Sequence, residues 1–385
     1  MPLAPSEKKM WDKIRTPSNP KISDEEIIDK YEKGEKRILT EMNREKLPSF
    51  AESLKKPGYM EIRPFFQRRS RWDKKKQSRL IESFLINVPV PPIILYEKNY
   101  NSYEVMDGQQ RITAIRDFYE NKLKLTGLEL WSELNERTYE ELPRTIKAGI
   151  DRRSISSIVL LTESTSDREE ELFLKQLAFE RLNTGGVRLG KQEVRHCLYY
   201  GKFEELLIEL ASYPIFAKAW GIPLENSEQK KENNLYKKME DVELVLRFFA
   251  LRHINKFAGG VDDLLDKYMI KSIKFTDLDI EELKENFIKT IELAHSIYQE
   301  ALFKPFYPDK KRPYKAYYDA VMVGFSNHLS NEQILINRRS EIIEKTNELL
   351  QEDRSRLFTG GGKTKAQLQE RIQRFDSMLT QVIAE

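Results

Sequence analysis

Tyr103-Glu104-Val105-Met106-Asp107-Gly108-Gln109-Gln110-Arg111-Ile112 is the stretch whose reading decides the fold. The alternation from Tyr103 to Met106 predicts a strand. Ile112, Ile115, Phe118 and Tyr119, at spacings of three, three and one, predict an amphipathic helix directly after it. A strand that breaks at a glycine and feeds straight into a helix aims several backbone N–H groups outward at the helix N-terminus. Together with the helix dipole that is an anion-binding arrangement, furnished here with a carboxylate, two carboxamides and a guanidinium. The plainer alternative is a structural glycine turn in which Asp107 caps the helix.

Working outward, Ile93-Ile94-Leu95-Tyr96 predicts a second strand, joined to the first round the turn Lys98-Asn99-Tyr100-Asn101, and Ser156 to Leu161 predicts a third. Helix signals lie at Gln77–Ile86, Arg111–Glu120 and Ser166–Asn183, and Val88-Pro89-Val90-Pro91-Pro92 forms a stiff connector into the Ile93 strand. Beyond about residue 190 the strand signal stops. Phe203–Ala211, Tyr236–Lys256, Asp279–Phe303, Lys315–His328, Glu332–Leu357 and Thr364–Ile383 all carry apolar residues at helical spacing, and Thr364 with Gln367 forms a capping box. The expected architecture is therefore α+β: a polar N-terminal arm over 1–46, an α/β domain over 47–195 and an all-α domain over 196–385. Ser23-Asp24-Glu25-Glu26 reads as a helix start within the arm.

A chain of 385 residues, one third charged, is long enough for two or three domains and too apolar for disorder. Its net charge of +3 gives no global basic field, so any nucleic-acid surface must be local. One cysteine, Cys197, excludes an internal disulfide framework and a multi-cysteine zinc site. No secretion signal and no membrane-length apolar run is read, so the expectation is a soluble, cytoplasmic protein.

Two further stretches carry chemistry. Residues 67 to 79 hold Arg68, Arg69, Arg71, Lys74, Lys75, Lys76 and Arg79 against one acid, Asp73, with Phe65, Phe66 and Trp72 interleaved. Such a run is often a solvated helix face, but arginine bias with aromatics is also what contact with phosphates or nucleic acid uses. Phe179-Glu180-Arg181-Leu182-Asn183-Thr184-Gly185-Gly186 reads either as an ordinary helix C-cap or as Asn183 and a glycine loop set against a ligand. The run TGGGKTK at 359–365 is not a Walker A loop, because Leu357 stands where the first glycine is required. The four histidines show no paired metal spacing, and no Ser/His/Asp constellation is signalled.

Over residues 48 to 200 the chain resembles the DGQQR-motif, GmrS-type family of ParB/sulfiredoxin-like domains found in type IV restriction and other phage-defence systems. FFQRRSRW, VPVPPIILYE, MDGQQRITAIRDFY and FERLNTGGVRLGKQEVR match its elements in the expected order, and KMEDVELVLRFFAL resembles its helical extension. The resemblance implies a ParB-like N-terminal fold that binds and hydrolyses a nucleoside triphosphate in a DNA-targeting system. A sulfiredoxin would carry its catalytic cysteine at position 109, where Gln109 stands, so sulfinic-acid reduction is excluded.

By that resemblance Gln67, Arg68, Gly108, Gln109, Gln110 and Arg111 bind the phosphates. Asp107, Arg111 and Asn183 carry the chemistry, and Asp107 positions Mg2+ (or Mn2+) or the attacking water. Arg69, Arg71, Lys74 and Lys75 are the DNA-contact candidates. The implied partners are DNA, a separate nuclease or other defence-system protein, and a second copy of the chain, with no membrane. Longer members carry a His-Asn-His nuclease signature that residues 200–385 lack. The alternatives are a ParB-like DNA-binding regulator switched by nucleotide and a metal-dependent DNA nuclease.

Overall fold

Residues 3–11, 23–33, 38–61, 72–161, 168–182, 190–225, 227–256, 259–305, 312–353, 356–360 and 364–385 are described by a computed structural model. They divide into two compact units. One comprises Asn19–Leu189, the other Met1–Ser18 with Gly190–Glu385.

The first unit is built on a mixed sheet of β1 (Leu39–Lys46), β2 (Met60–Glu61), β3 (Ile93–Asn99), β4 (Ser102–Asp107) and β5 (Ser154–Leu161), in the order β1-β5-β3-β4-β2. β3 pairs antiparallel with β4 and parallel with β5, while β1 pairs antiparallel with β5. β3, β4 and β5 fall on the three strands expected from the apolar pattern. β1 does not: its sequence LTEMNREK is nearly all polar and all but one of its residues are exposed, so no alternation marks it.

Alternation along the strands sends Ile93, Leu95, Val105, Ile155 and Val159 into one core with Leu47, Phe50, Ile81, Phe84, Ile112, Ile115 and Phe118. Each fully buried aliphatic or aromatic side chain there contributes about 1.5–3 kcal/mol. The helix Gln109–Tyr119 is thus fixed along its apolar face. Its far end is tied down too: the hydroxyls of Tyr119 and Tyr139 donate to Asp151, each at 2.9 Å. Burial, and then the Asp151 carboxylate, push the Tyr139 hydroxyl up to about 12, so it remains a proton donor across the neutral range.

The opposite face of β3 and β4 carries Tyr96 and Glu104, which are register partners. The helix Arg168–Leu182 meets them there. Lys175 donates to Glu104 at 3.0 Å and lies 3.9 Å from the centre of the Tyr96 ring, and the Tyr96 hydroxyl bonds Glu171.

The second unit is helical, as expected, with its longest helix at Asp277–Tyr298 and the capping box of Thr364 and Gln367 opening its last. Its aromatic core includes Phe203, Phe248, Phe249, Tyr268 and Phe287. The stretch 1–46 is not one polar arm. Leu39–Lys46 is a sheet strand, while Pro5–Lys9 forms a short helix that belongs to the helical unit.

That helix is anchored by a charge. Glu7 is fully buried, accepting from Tyr268 Oη at 2.8 Å and Arg252 Nη2 at 3.3 Å, with His253 Nε2 at 2.8 Å. Burial alone would raise its carboxyl, but the bond to His253 and the charge of Arg252 outweigh it and hold the group below the usual carboxylate value. A depressed folded-state value adds stability above the unfolded value near pH 4, and that stability is lost as pH falls through the folded value. Glu7→Gln removes the buried carboxylate that Arg252, His253 and Tyr268 share, at an expected cost of about 3–5 kcal/mol. Urea denaturation of the full chain at neutral pH measures that loss, and the variant should show a smaller drop in midpoint on acidification than the parent.

Candidate phosphate-binding turn

β4 ends at Asp107, and Gly108 turns the chain with φ 95° and ψ 10° before the helix Gln109–Tyr119 begins. This left-handed conformation is one that glycine adopts without penalty. Space also demands it, since a Cβ at Gly108 would lie 2.6 Å from Ile93 Cγ2 and 3.0 Å from Arg111 Nη2. The residue at the N-cap is therefore Gly108 itself. Asp107 does not cap the helix, which has no side-chain cap and no acid in its first turn. The first intrahelical bond involving the turn runs from Ile112 N–H to the Gly108 carbonyl at 2.9 Å. The N–H groups of Gln109, Gln110 and Arg111 precede it and have no intrahelical acceptor.

Arg111 folds back over the bend. Its Nη2 donates to Asp107 Oδ2 at 2.9 Å and to the Pro92 carbonyl at 3.2 Å, closing a clasp between the two ends of the turn and the connector into β3. The guanidinium is mostly buried, at 14% exposure, whereas the Asp107 side chain is 36% exposed.

Three consecutive residues leave a buried side-chain atom unpartnered among the described residues: Gln109 Oε1, Gln110 Nε2 and Arg111 Nε. Leaving such an atom unsatisfied costs about 1–3 kcal/mol. Two of the three are donors, and a carboxamide such as Gln109 can turn either of its ends to a ligand. An uncapped helix end with orphan donors beside it is suited to an oxyanion with several acceptor oxygens.

The basic element is joined to this turn by one peptide. Gln110 Oε1 accepts the main-chain N–H of Trp72 at 2.8 Å. Asp73 then caps the helix Lys74–Leu85 by accepting from Lys76 N–H at 2.7 Å. Lys74, Lys75 and Lys76 occupy the first turn, where positive charge opposes the helix dipole and costs a few tenths of a kcal/mol, about 0.3–1, per residue. Lys75 is laid across Gly127, where a Cβ would meet its Cγ at 2.8 Å.

The loop bearing Gly127 is pinned by Glu82. Its carboxylate accepts the N–H groups of Glu129, Leu130 and Trp131 at 3.0, 2.8 and 3.0 Å. Burial would raise this carboxyl, but those N–H groups and Arg79 hold it below the usual range.

Of the site residues expected from sequence, the structure gathers Asp107, Gly108, Gln109, Gln110 and Arg111 at one bend and links Lys74 and Lys75 to it through Trp72. Gln67, Arg68, Arg69, Arg71 and Asn183 lie outside the described residues. The Pro92 carbonyl and the Trp72 N–H were not foreseen, because main-chain groups leave no mark in a sequence. Among the described residues no cluster of three or more His, Cys, Asp or Glu side chains could hold a metal ion, and no helix is long and apolar enough to cross a membrane.

Gly108→Ala should cost about 1–3 kcal/mol, because the new methyl must sit at positive φ and displace Ile93 or Arg111. A urea midpoint equal to that of the parent protein would contradict the geometry of the bend.

Compared with known proteins, residues 49–200 match the family model described as GmrSD restriction endonuclease, N-terminal domain. No curated protein and no solved structure matches the chain.

Proposed function

We propose that this chain, whose residues 49–200 belong to the family of GmrSD restriction endonuclease N-terminal domains, acts on DNA in a restriction or phage-defence system and holds a nucleoside triphosphate at the bend 107–111. The observation that carries the nucleotide reading is the uncapped helix end at Gly108, with orphan polar atoms on Gln109, Gln110 and Arg111 beside it. The ParB-like character of the unit is part of the same proposal. It is supported by a strand that stops at a glycine and opens a helix over a Gly-x-x-Arg turn.

In this reading the N–H groups of residues 109–111 and the free edge of the Arg111 guanidinium take the phosphate oxygens, and Gln110 Nε2 adds a neutral donor. Asp107 keeps one carboxylate oxygen free of Arg111 and is partly exposed, which suits the single carboxylate by which Mg2+ or Mn2+ often attaches beside a polyphosphate. The metal would neutralise charge developing on the transferred phosphoryl group. Arg111 would stabilise the same charge from the protein side, and Asp107 would orient the attacking water. Asn183 and Arg68 are proposed as further contributors on the strength of the sequence alone. Lys74 and Lys75 would meet the DNA backbone.

The Gln110–Trp72 bond favours a second reading, a DNA-binding regulator switched by nucleotide without turnover. One side chain touches both the phosphate turn and the start of the lysine helix, so occupancy of the turn would bear on how those lysines are presented.

Titration calorimetry of the full chain with ATP and GTP in the presence of Mg2+ tests the proposal. Arg111→Gln should weaken triphosphate binding at least about tenfold, equivalent to about 1.4 kcal/mol. Equal affinity in parent and variant, or no binding by the parent, removes the nucleotide reading. Phosphate release separates the hydrolase from the switch, and plasmid cleavage with Mg2+ but no nucleotide would instead indicate a nuclease acting through Asp107.

A separate expectation concerns DNA. The double variant Lys74→Gln, Lys75→Gln should reduce the slope of log affinity against log salt by about 2, since each lost phosphate contact removes about 0.9. An unchanged slope assigns those lysines to solvent.

A further inference from the structure

Leu39–Lys46 is an edge strand of unusual exposure. Seven of its eight residues are exposed, with Met42 at 77%, and its pairing with β5 occupies one side alone. Among the described residues nothing pairs with its outer edge. An eight-residue edge with a row of unmet N–H and C=O groups is a template for another strand. The helix before it, Asp24–Glu32, also leaves Ile27, Ile28 and Tyr31 exposed, so two successive elements present unburied apolar side chains.

The charges along the strand select what can pair there. When two copies of one strand associate antiparallel about a two-fold axis normal to the sheet, some residue faces its own copy, and directly opposed like charges are destabilising. With Glu41 at the axis, two carboxylates meet, and with Arg44 there, two guanidinium groups meet. Centring on Asn43 sets Glu41 against Glu45 twice. Centring on Met42 sets Met42 against Met42, Glu41 against Asn43, Thr40 against Arg44 and Leu39 against Glu45, with no like pair. Among symmetric registers that pair five or more residues of β1, this is the one free of repulsion.

We propose that the outer edge of β1 is a homodimer interface, in which two copies of the chain pair antiparallel with Met42 on the two-fold axis and join two five-stranded sheets into one of ten. This rests on the sheet edge and is independent of the nucleotide reading. The interface takes a strand of defined charge pattern, a second copy of this chain. The polar residues along the edge disfavour slipped registers, so pairing is selective as well as permitted.

Oxidative crosslinking of the full chain, read beside light scattering, tests this. In the proposed register Met42→Cys places two thiols opposite one another, with Cβ atoms about 5 Å apart, whereas Thr40→Cys places them several residues from their copies. The Met42→Cys chain should form a covalent dimer at least about tenfold faster than the Thr40→Cys chain. The unsubstituted chain controls for Cys197. Met42→Lys should weaken the dimer measured by light scattering at least about tenfold, since two ammonium groups would then meet on the axis. A parent protein that stays monomeric at about 100 μM, a dimer unmoved by Met42→Lys, or equal crosslinking at both positions overturns the proposal. Association with a different protein through this edge, without self-association, overturns it as well.

Discussion

The bend at Gly108 is the constraint on which the N-terminal unit turns. It has to satisfy two demands at once: the chain must leave β4 with positive φ, and the space where a side chain would begin is already taken by Ile93 and Arg111. Glycine meets both. Arg111 then locks the outcome, because its guanidinium reaches Asp107 before the bend and the Pro92 carbonyl at the mouth of β3. Three segments far apart in role, the end of one strand, the lead into its neighbour and the first turn of a helix, are thereby held in register by one side chain.

That clasp could be read as no more than structural, an ion pair closing a turn. What argues against a purely structural role is the distribution of unmet hydrogen bonds. A turn selected only for stability would satisfy its buried polar atoms or replace them with apolar ones, since each orphan costs more than a made bond returns. Here three consecutive residues at a helix start without a side-chain cap each carry such an orphan. The lysines at the start of Lys74–Leu85 point the same way. They stand where the helix dipole disfavours them, and Lys75 among them lies against Gly127, an arrangement that gains little unless an anion arrives.

The central strands and most helices were legible because their apolar residues keep a period that burial on one face imposes. Ile93–Tyr96 and Tyr103–Met106 are the clearest instances, and the DGQQR run marks the bend where β4 passes into the helix Gln109–Tyr119. β1 was illegible for the opposite reason: an exposed edge strand has no face to bury and so no alternation to show. The small N-terminal helix was missed because its anchor is a single glutamate, polar in sequence and buried only through partners near residues 252 and 268. The Gln110–Trp72 bond was hidden because its donor is a main-chain N–H that any residue would supply.

The two ends of Gln110 give the site its direction. Its carbonyl oxygen is spent on Trp72, at the head of the lysine helix, while its amide nitrogen stays unpartnered beside the uncapped helix start. A carboxamide is a rigid plane, so an acceptor drawn to the nitrogen fixes the orientation of the oxygen as well. A ligand at the bend would therefore constrain the peptide that precedes Asp73 and its three lysines, without any larger movement of the sheet. The helix Gln109–Tyr119 can transmit that constraint because it does not yield: Ile112, Ile115 and Phe118 are packed in the core, and its far end is held through Tyr119 to Asp151. Rigidity at the helix and adjustability at one side chain are complementary requirements, and the same eleven-residue element meets both.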